Sequence, residues 1–372
     1  MQTYSPLIKT FLELVSIDSE SFYERDVADY VKSRIGKYFD DYFEDDASEK
    51  LGGNCGNQII YIKGNRADYP VIMLNSHMDT VKPGIGIKTV IEGDIIKSSG
   101  ETILGGDDKA GLCVIIELLS YLKENRIDCG DLQIVLTVAE EQGIKGASQL
   151  DTGLIKADFG YTLDNVGTAG DIFIASPYHD KITAKIVGKA AHAGMEPEKG
   201  VSAIQVVSKA ISRMKLGRID EETTANVGII KGGRATNIIP DTVCIEAEAR
   251  SHNQEKIQKQ INHMREIMDV TCRENNAKLE IEINREYSGY MLDEGMQAVK
   301  VAMNAARLMG IEPCLRTSGG GSDANVFNKS GIQVAPLGTA MRNCHTTEED
   351  ISMTELEGVF EYVKKIIENP ID

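Results

Sequence analysis

Basic residues are in short supply. Forty Lys and Arg stand against 57 Asp and Glu, a formal net charge of −17. Nucleic acid and anionic membranes repel such a surface, so neither is expected as a partner. Cysteine pairing is missing as well. The seven cysteines, at 55, 113, 129, 244, 272, 314 and 344, are scattered, odd in number and form no C-x-x-C. Neither a structural zinc site nor a disulfide framework is expected, and a reducing cytosol suits the chain. The longest apolar runs fall short of the roughly 18 residues a membrane span needs. The first 20 residues have no basic start and no long apolar run, so no signal peptide is expected and the cytoplasm is the expected compartment.

The 42% hydrophobic and 26% charged fractions are those of a globular chain with a buried core. At 372 residues it is too long for one ordinary core, and two domains are expected. Ser5-Pro6 reads as N-cap and first residue of a helix burying Leu7, Phe11, Leu12 and Val15. Ser21 with Glu24 has the spacing of a capping box, opening a helix with Val27, Tyr30, Val31 and Ile35 on one face. Strands are expected over 57–63, 71–74, 132–139 and 160–163, with an apolar helix over 109–123. This alternation implies an α/β catalytic domain with a mostly parallel, doubly covered sheet, whose ligands gather beyond the carboxyl ends of the strands.

Between about 180 and 287 the rhythm changes to β-α-β-β-α-β, a ferredoxin-like unit. Its strands are expected over 181–189, 224–230, 242–250 and 278–287, the last burying Leu279, Ile281 and Ile283. Its helices are expected over 200–214 and 253–275. Helices over 293–309 and 353–368 and a strand over 333–336 then resume the first pattern. The expected division is 1–178 with 288–372 for the larger domain and 179–287 for an insertion.

Chemistry-bearing residues recur at the expected strand ends. They are His77-Met-Asp79, Gly105-Gly-Asp107-Asp108-Lys109-Ala-Gly111, Glu140-Glu141 with Gly143, Asp164, and Asn343-Cys-His345. Random acidic residues would not fall repeatedly at such places. A charge count favours two metal ions. Two divalent cations carry four positive charges, matched by Asp107, Glu141, Asp164 and one hydroxide, with His77 and His345 as neutral ligands. Carboxylate and imidazole ligands suit zinc foremost, then cobalt or manganese. Glu140 is then left over beside the ions, where a general base is needed.

In this order and spacing the motifs resemble the M20 family of metallopeptidases, in its peptidase T (tripeptide aminopeptidase) branch, from about Phe11 to Ile366. The resemblance implies that His77 and Asp164 bind one ion, Glu141 and His345 the other, and Asp107 both. It implies that Asp79 orients His77, that Glu140 takes a proton from a water bridging the ions, and that a cis peptide follows Asp107. The insertion matches the family's lid, which in many members makes a homodimer. His192 in Ala190-Ala-His-Ala-Gly194 matches a histidine that reaches over the substrate carbonyl. Asn237, Arg250, Gly320 and Gly321 match substrate-binding positions, the glycines in a loop whose backbone N–H groups could hold a carboxylate.

The implied reaction is release of the N-terminal residue from short peptides, tripeptides foremost. An M20-type carboxypeptidase or N-acyl amino acid amidohydrolase is the alternative. Two rivals stand further off. Gly320-Gly-Ser322-Asp-Ala324 approaches a serine-hydrolase elbow but lacks its last glycine, and it leaves the acidic pairs unexplained. A metal-free binding module would have no use for a complete ligand set.

Overall fold

The strands that read as unbroken apolar runs lie at the centre of a sheet. In the computed structural model, which describes residues 4–371, the chain forms two units, Met1–Ala175 with Met291–Asp372 and Ser176–Tyr290. The first unit holds a six-stranded sheet in the order Asp41–Glu44, Gln58–Ile62, Leu132–Thr137, Ile72–His77, Phe159–Thr162, Val334–Pro336. The last four strands run parallel, and the first two pairings are antiparallel. Leu132–Thr137 and Ile72–His77 are buried at every position, as strands covered on both faces must be. Helix Gly106–Glu124 packs on Ile72–His77, and helix Gln297–Leu308 packs on the two strands beyond it.

Several local expectations are corrected. Ser21 and Glu24 form no capping box. The helix begins at Arg25 with no side-chain cap, and both side chains are drawn to longer-range partners described below. The helix expected from Asp293 starts at Gln297, because the Asp293 carboxylate closes a turn on the N–H of Gly295. Short strands at Asp41–Glu44, Thr89–Glu92 and Ile95–Ser98 carry too little apolar signal to be read in advance, whereas Asp171–Ser176, with the apolar run Ile172–Ala175, was simply missed.

The second unit is an antiparallel sheet whose long strands lie in the order Thr223–Gly232, Thr242–Ser251, Tyr178–Val187, Lys278–Tyr287. This is the ferredoxin-like arrangement. Ile182, Ala184 and Ile186 alternate inward with Val243, Ile245 and Ala247 against helices Ala203–Arg213 and Gln254–Glu274. Leu279, Ile281 and Ile283 are only half-buried, because their strand is at the sheet edge and has a neighbour on one side only. Among the described residues no helix is long and apolar enough to cross a membrane.

Ile182 is fully buried on a central strand of this unit. Ile182→Ala is expected to cost about 2–5 kcal/mol, read as a lower urea midpoint with an unchanged slope. A change within experimental error would show that this core is not what holds the unit together.

Candidate metal centre

Parallel strands deliver four of the candidate residues to one end of the sheet. His77 is the last residue of its strand, and Asp164 lies two residues beyond Thr162. Glu140 and Glu141 open a single turn of 3₁₀ helix shortly after Thr137. Asp107 enters from the start of Gly106–Glu124, where Asp107 (φ −80°, ψ 105°) and Asp108 (φ −119°, ψ 38°) depart from helical geometry. The peptide between them is cis. His345 enters from a turn in the left-handed region, at φ +65°.

One carboxylate faces both histidines. Asp107 Oδ1 is 3.0 Å from His77 Nε2, and Oδ2 is 3.3 Å from His345 Nε2. Asp164 Oδ1 lies 3.9 Å from His77 Nε2, and Glu141 Oε1 lies 2.9 Å from His345 Nε2. Two triads result, His77–Asp107–Asp164 and Asp107–Glu141–His345, with the ligand atoms of each within 4.8 Å of one another. Each triad supplies three N or O donors from protein, the number a catalytic zinc site uses while keeping a position open. The donor set fits two divalent cations.

The electrostatics of the bare side chains agree with that fit. Burial pushes the carboxyls of Asp164, Glu141 and Glu140 above their usual range, and neighbouring carboxylates add to it. Asp107 goes the other way, since hydrogen bonds from His345 and His77 outweigh its burial. Its two carboxylate partners, Asp107 and Glu141, lift His345 to about 10. For His77 burial lowers the pKa, but hydrogen bonds to Asp107 and Asp79 overcome it and raise the ring well above its ordinary value. The cluster therefore binds protons where it lacks other positive charge, and cations would displace them.

Asp79 touches more than His77. It lies beyond the strand end, and it is its backbone oxygen that meets His77 Nδ1, at 2.9 Å, with carboxylate Oδ1 at 3.4 Å. That carboxylate accepts the N–H groups of Glu140 (2.9 Å) and Glu141 (3.2 Å) and the Ser21 hydroxyl (2.7 Å). Glu24 accepts the N–H of the preceding residue, Ala139, at 3.0 Å, and that of Phe22 at 2.8 Å. Three successive amides in front of the chemistry are thus held by two buried carboxylates, and Ala139 is kept at φ +48°. Asp108 grips the other side. Its carboxylate accepts from the Ser76 hydroxyl at 2.5 Å and from the Gly111 N–H at 3.1 Å. A Cβ on Gly111 would lie 2.3 Å from the carbonyl oxygen of Leu163, so only glycine lets the helix start approach the Asp164 segment.

Sequence reasoning missed Glu24, Asp108 and Asp323 as parts of this region. Asp323 is fully buried and accepts from Asn75 Nδ2 (3.1 Å) and from the Thr137 hydroxyl. The signal for Asp108 was in view, a second acid in the Gly-Gly-Asp-Asp motif. In the same loop, the Gly320 N–H donates to Ser318 Oγ at 3.1 Å, so it is not a free carboxylate donor as expected. The serine-hydrolase reading also fails, because Ser322 is buried and His345 Nε2 is turned to Asp107 and Glu141. Burial pushes the Cys344 thiol well up, away from a nucleophilic thiolate.

In the second unit, His192 and Asn237 are on paired segments, the Ala193 N–H donating to the Asn237 carbonyl at 3.0 Å. His192 is exposed, and its Nδ1 accepts the N–H groups of Gly194 and Met195, both at 3.2 Å. This assigns the proton to Nε2. Arg250 lies on Thr242–Ser251, with Nη2 3.2 Å from Glu248 Oε2.

A Gly-Gly-Asp-Asp loop, a Glu-Glu turn and two histidines around one shared carboxylate, on this sheet and with this second unit, define a metal-dependent hydrolase. A model of the peptidase dimerisation domain of the M20 family matches residues 179–276, and a model of M42 glutamyl aminopeptidase matches 84–196. The chain belongs to the M20 family of peptidases. It is 44% identical to an uncharacterized protein, YqjE, of Bacillus subtilis over 97% of each chain. It superposes on a tripeptidase from Staphylococcus aureus with a TM-score of 0.94 at 41% identity, covering 98% of both chains. For the aminopeptidase PepT from Bacillus cereus the TM-score is 0.90 at 43% identity, again over 98% of each.

Glu24 offers a test of the support beneath the Glu-Glu turn. Burial, with Asp79 nearby, raises it to about 7. A raised folded-state pKa means that its stabilisation is full below about 4.5 and is lost as pH rises through about 7. Glu24→Gln stays neutral and keeps an acceptor for Ala139, so its stability should fall less across that window. The difference should approach about 3 kcal/mol at pH 8, at about 1.4 kcal/mol per pKa unit. Thermal unfolding at a series of pH values checks it, and parallel wild-type and variant curves would refute it.

Proposed function

We propose that the chain is a two-metal aminopeptidase that releases the N-terminal residue of short peptides, tripeptides foremost. The observation that carries this reading is Asp107, whose two oxygens face the two histidines of two ligand triads. The peptide class is supported by the tripeptidase and PepT structures at 41% and 43% identity. His77, Asp107 and Asp164 would hold one divalent ion, and Asp107, Glu141 and His345 the other, with zinc foremost. Bound there, two such ions supply Lewis-acid polarisation of the scissile carbonyl and lower the pKa of a water from about 15.7 toward 7.

The chain's own residues do the rest. Glu140 is buried, its backbone N–H is held by Asp79, and it adjoins Glu141 in the chain. Its carboxyl, with a pKa raised by burial, suits a group that takes a proton from the attacking water and returns it to the leaving amine. His192 presents an Nε2–H, the donor that a developing oxyanion takes up, and we assign it that role. Asn237, Arg250 and Gly321 are assigned to binding the peptide. The match of 179–276 to a dimerisation domain supports a homodimer through the second unit. The seven unpaired cysteines suit the cytoplasm.

Free, N-acylated and C-amidated di- and tripeptides test the substrate class. Only peptides with a free amino end should be cleaved, and preference for N-acylated compounds would favour the deacylase alternative. Glu140→Gln should retain both metals and lose about 10²–10⁴-fold in rate, whereas Glu141→Gln should lose metal first. Equal metal loss in the two would reverse the assignment of base and ligand. His192→Ala should be fully metallated and slower by about 10²–10³-fold. Wild-type turnover in that variant would remove His192 from the mechanism.

A further inference from the structure

His345 is a ligand candidate in an unusual setting. Its side chain is 54% exposed, on a turn joining the paired strands Met341–Arg342 and Asp350–Ser352. Within it Asn343 Nδ2 donates to the Glu348 carbonyl at 3.4 Å and to Asp350 Oδ2 at 3.1 Å, bonds that do not reach the Asp107 loop. Four residues on, Glu349 is 1% exposed, and its N–H donates to the Thr346 carbonyl, so it belongs to the same turn. Its carboxylate points into the loop that carries Asp107. Oε2 accepts the N–H groups of Leu104 at 2.8 Å and Gly105 at 2.7 Å, and Oε1 accepts that of Asp107 at 3.0 Å. Gly105 sits at φ +73°, and a Cβ on Gly106 would meet Glu349 Oε1 at 3.1 Å. The two glycines let the backbone wrap closely around this carboxylate.

We infer that Glu349 is a positioning residue that sets the distance between Asp107 and His345, and so builds the second metal triad. The inference rests on the two-metal reading and deepens it. Three backbone N–H bonds from one loop make Glu349 the link between the two segments whose side chains must converge there. The first triad depends on it less, because His77 and Asp164 are placed by neighbouring parallel strands and Asp107 contacts His77 directly. Loss of the clamp therefore loosens one ion selectively. A residue of merely structural importance would weaken both alike.

Calorimetric titration of the metal-free full-length protein with Co²⁺ reads this out without recourse to activity. Wild type should take up two equivalents. Glu349→Gln places an amide NH₂ against one of the three N–H groups. It should leave the tighter equivalent within about threefold and weaken the second by about 10–100-fold, the range typical of a lost ligand-supporting bond. Unchanged binding of both ions, equal weakening of both, or selective weakening of the first would each overturn the proposal. Should Glu349→Gln not fold, Gly106→Ala, which crowds the clamp without removing its charge, must give the same selective loss. Two full-affinity ions in that variant would overturn the proposal equally. Wild type that binds fewer than two ions would instead refute the two-metal reading itself.

Discussion

The density of negative charge beyond the carboxyl ends of the parallel strands is what the first unit has to accommodate. Asp79, Asp107, Asp108, Asp164, Glu140, Glu141, Glu24, Asp323 and Glu349 are all buried or nearly so. An ionised carboxylate taken out of water costs several kcal/mol unless partners replace the lost hydration. The chain meets this in two ways. Asp79, Glu24, Asp108 and Glu349 take backbone N–H groups, and in doing so they fix the loops. Asp107, Asp164 and Glu141 face two imidazoles instead. The first set makes the scaffold that the second set needs in order to receive cations.

This division explains the backbone around the site. Ala139 and His345 lie in the left-handed region, at φ +48° and +65°. Such conformations cost about 1–3 kcal/mol each in residues other than glycine and persist where surroundings over-determine them. Here the surroundings are named. Glu24 and Asp79 hold the amides at Ala139 and just after it, and Glu349 anchors the turn that bears His345.

The same division marks how far the amino-acid order could be read. The buried strands and the ferredoxin-like unit were legible because periodicity is a local signal. The candidate ligands could be picked out because acidic clusters and histidines followed strand ends in a specific order, and the structure brings them into two triads. Ser21 and Glu24 were visible too but assigned to a cap. Their spacing is that of a local motif, whereas the bonds that tie them to the site go to residues 58 and 115 positions away. Nothing local separates those uses. Glu349 carried no signal, because its partners are more than 240 positions distant. The half-burial of Leu279, Ile281 and Ile283 was hidden for a related reason: alternation shows a strand but not whether it lies at an edge.

Gly111 gives the site a property that its ligands alone do not. With the Leu163 carbonyl 2.3 Å from where a Cβ would stand, the helix start and the Asp164 segment rest backbone against backbone. Side chains flex by rotamer changes, but two main chains in contact act as a fixed spacer. The span from Asp107 to Asp164 is thus gauged by peptide geometry. Any change in that span then falls to the Asp107 and Asp164 side chains, over a main-chain spacing set by a glycine.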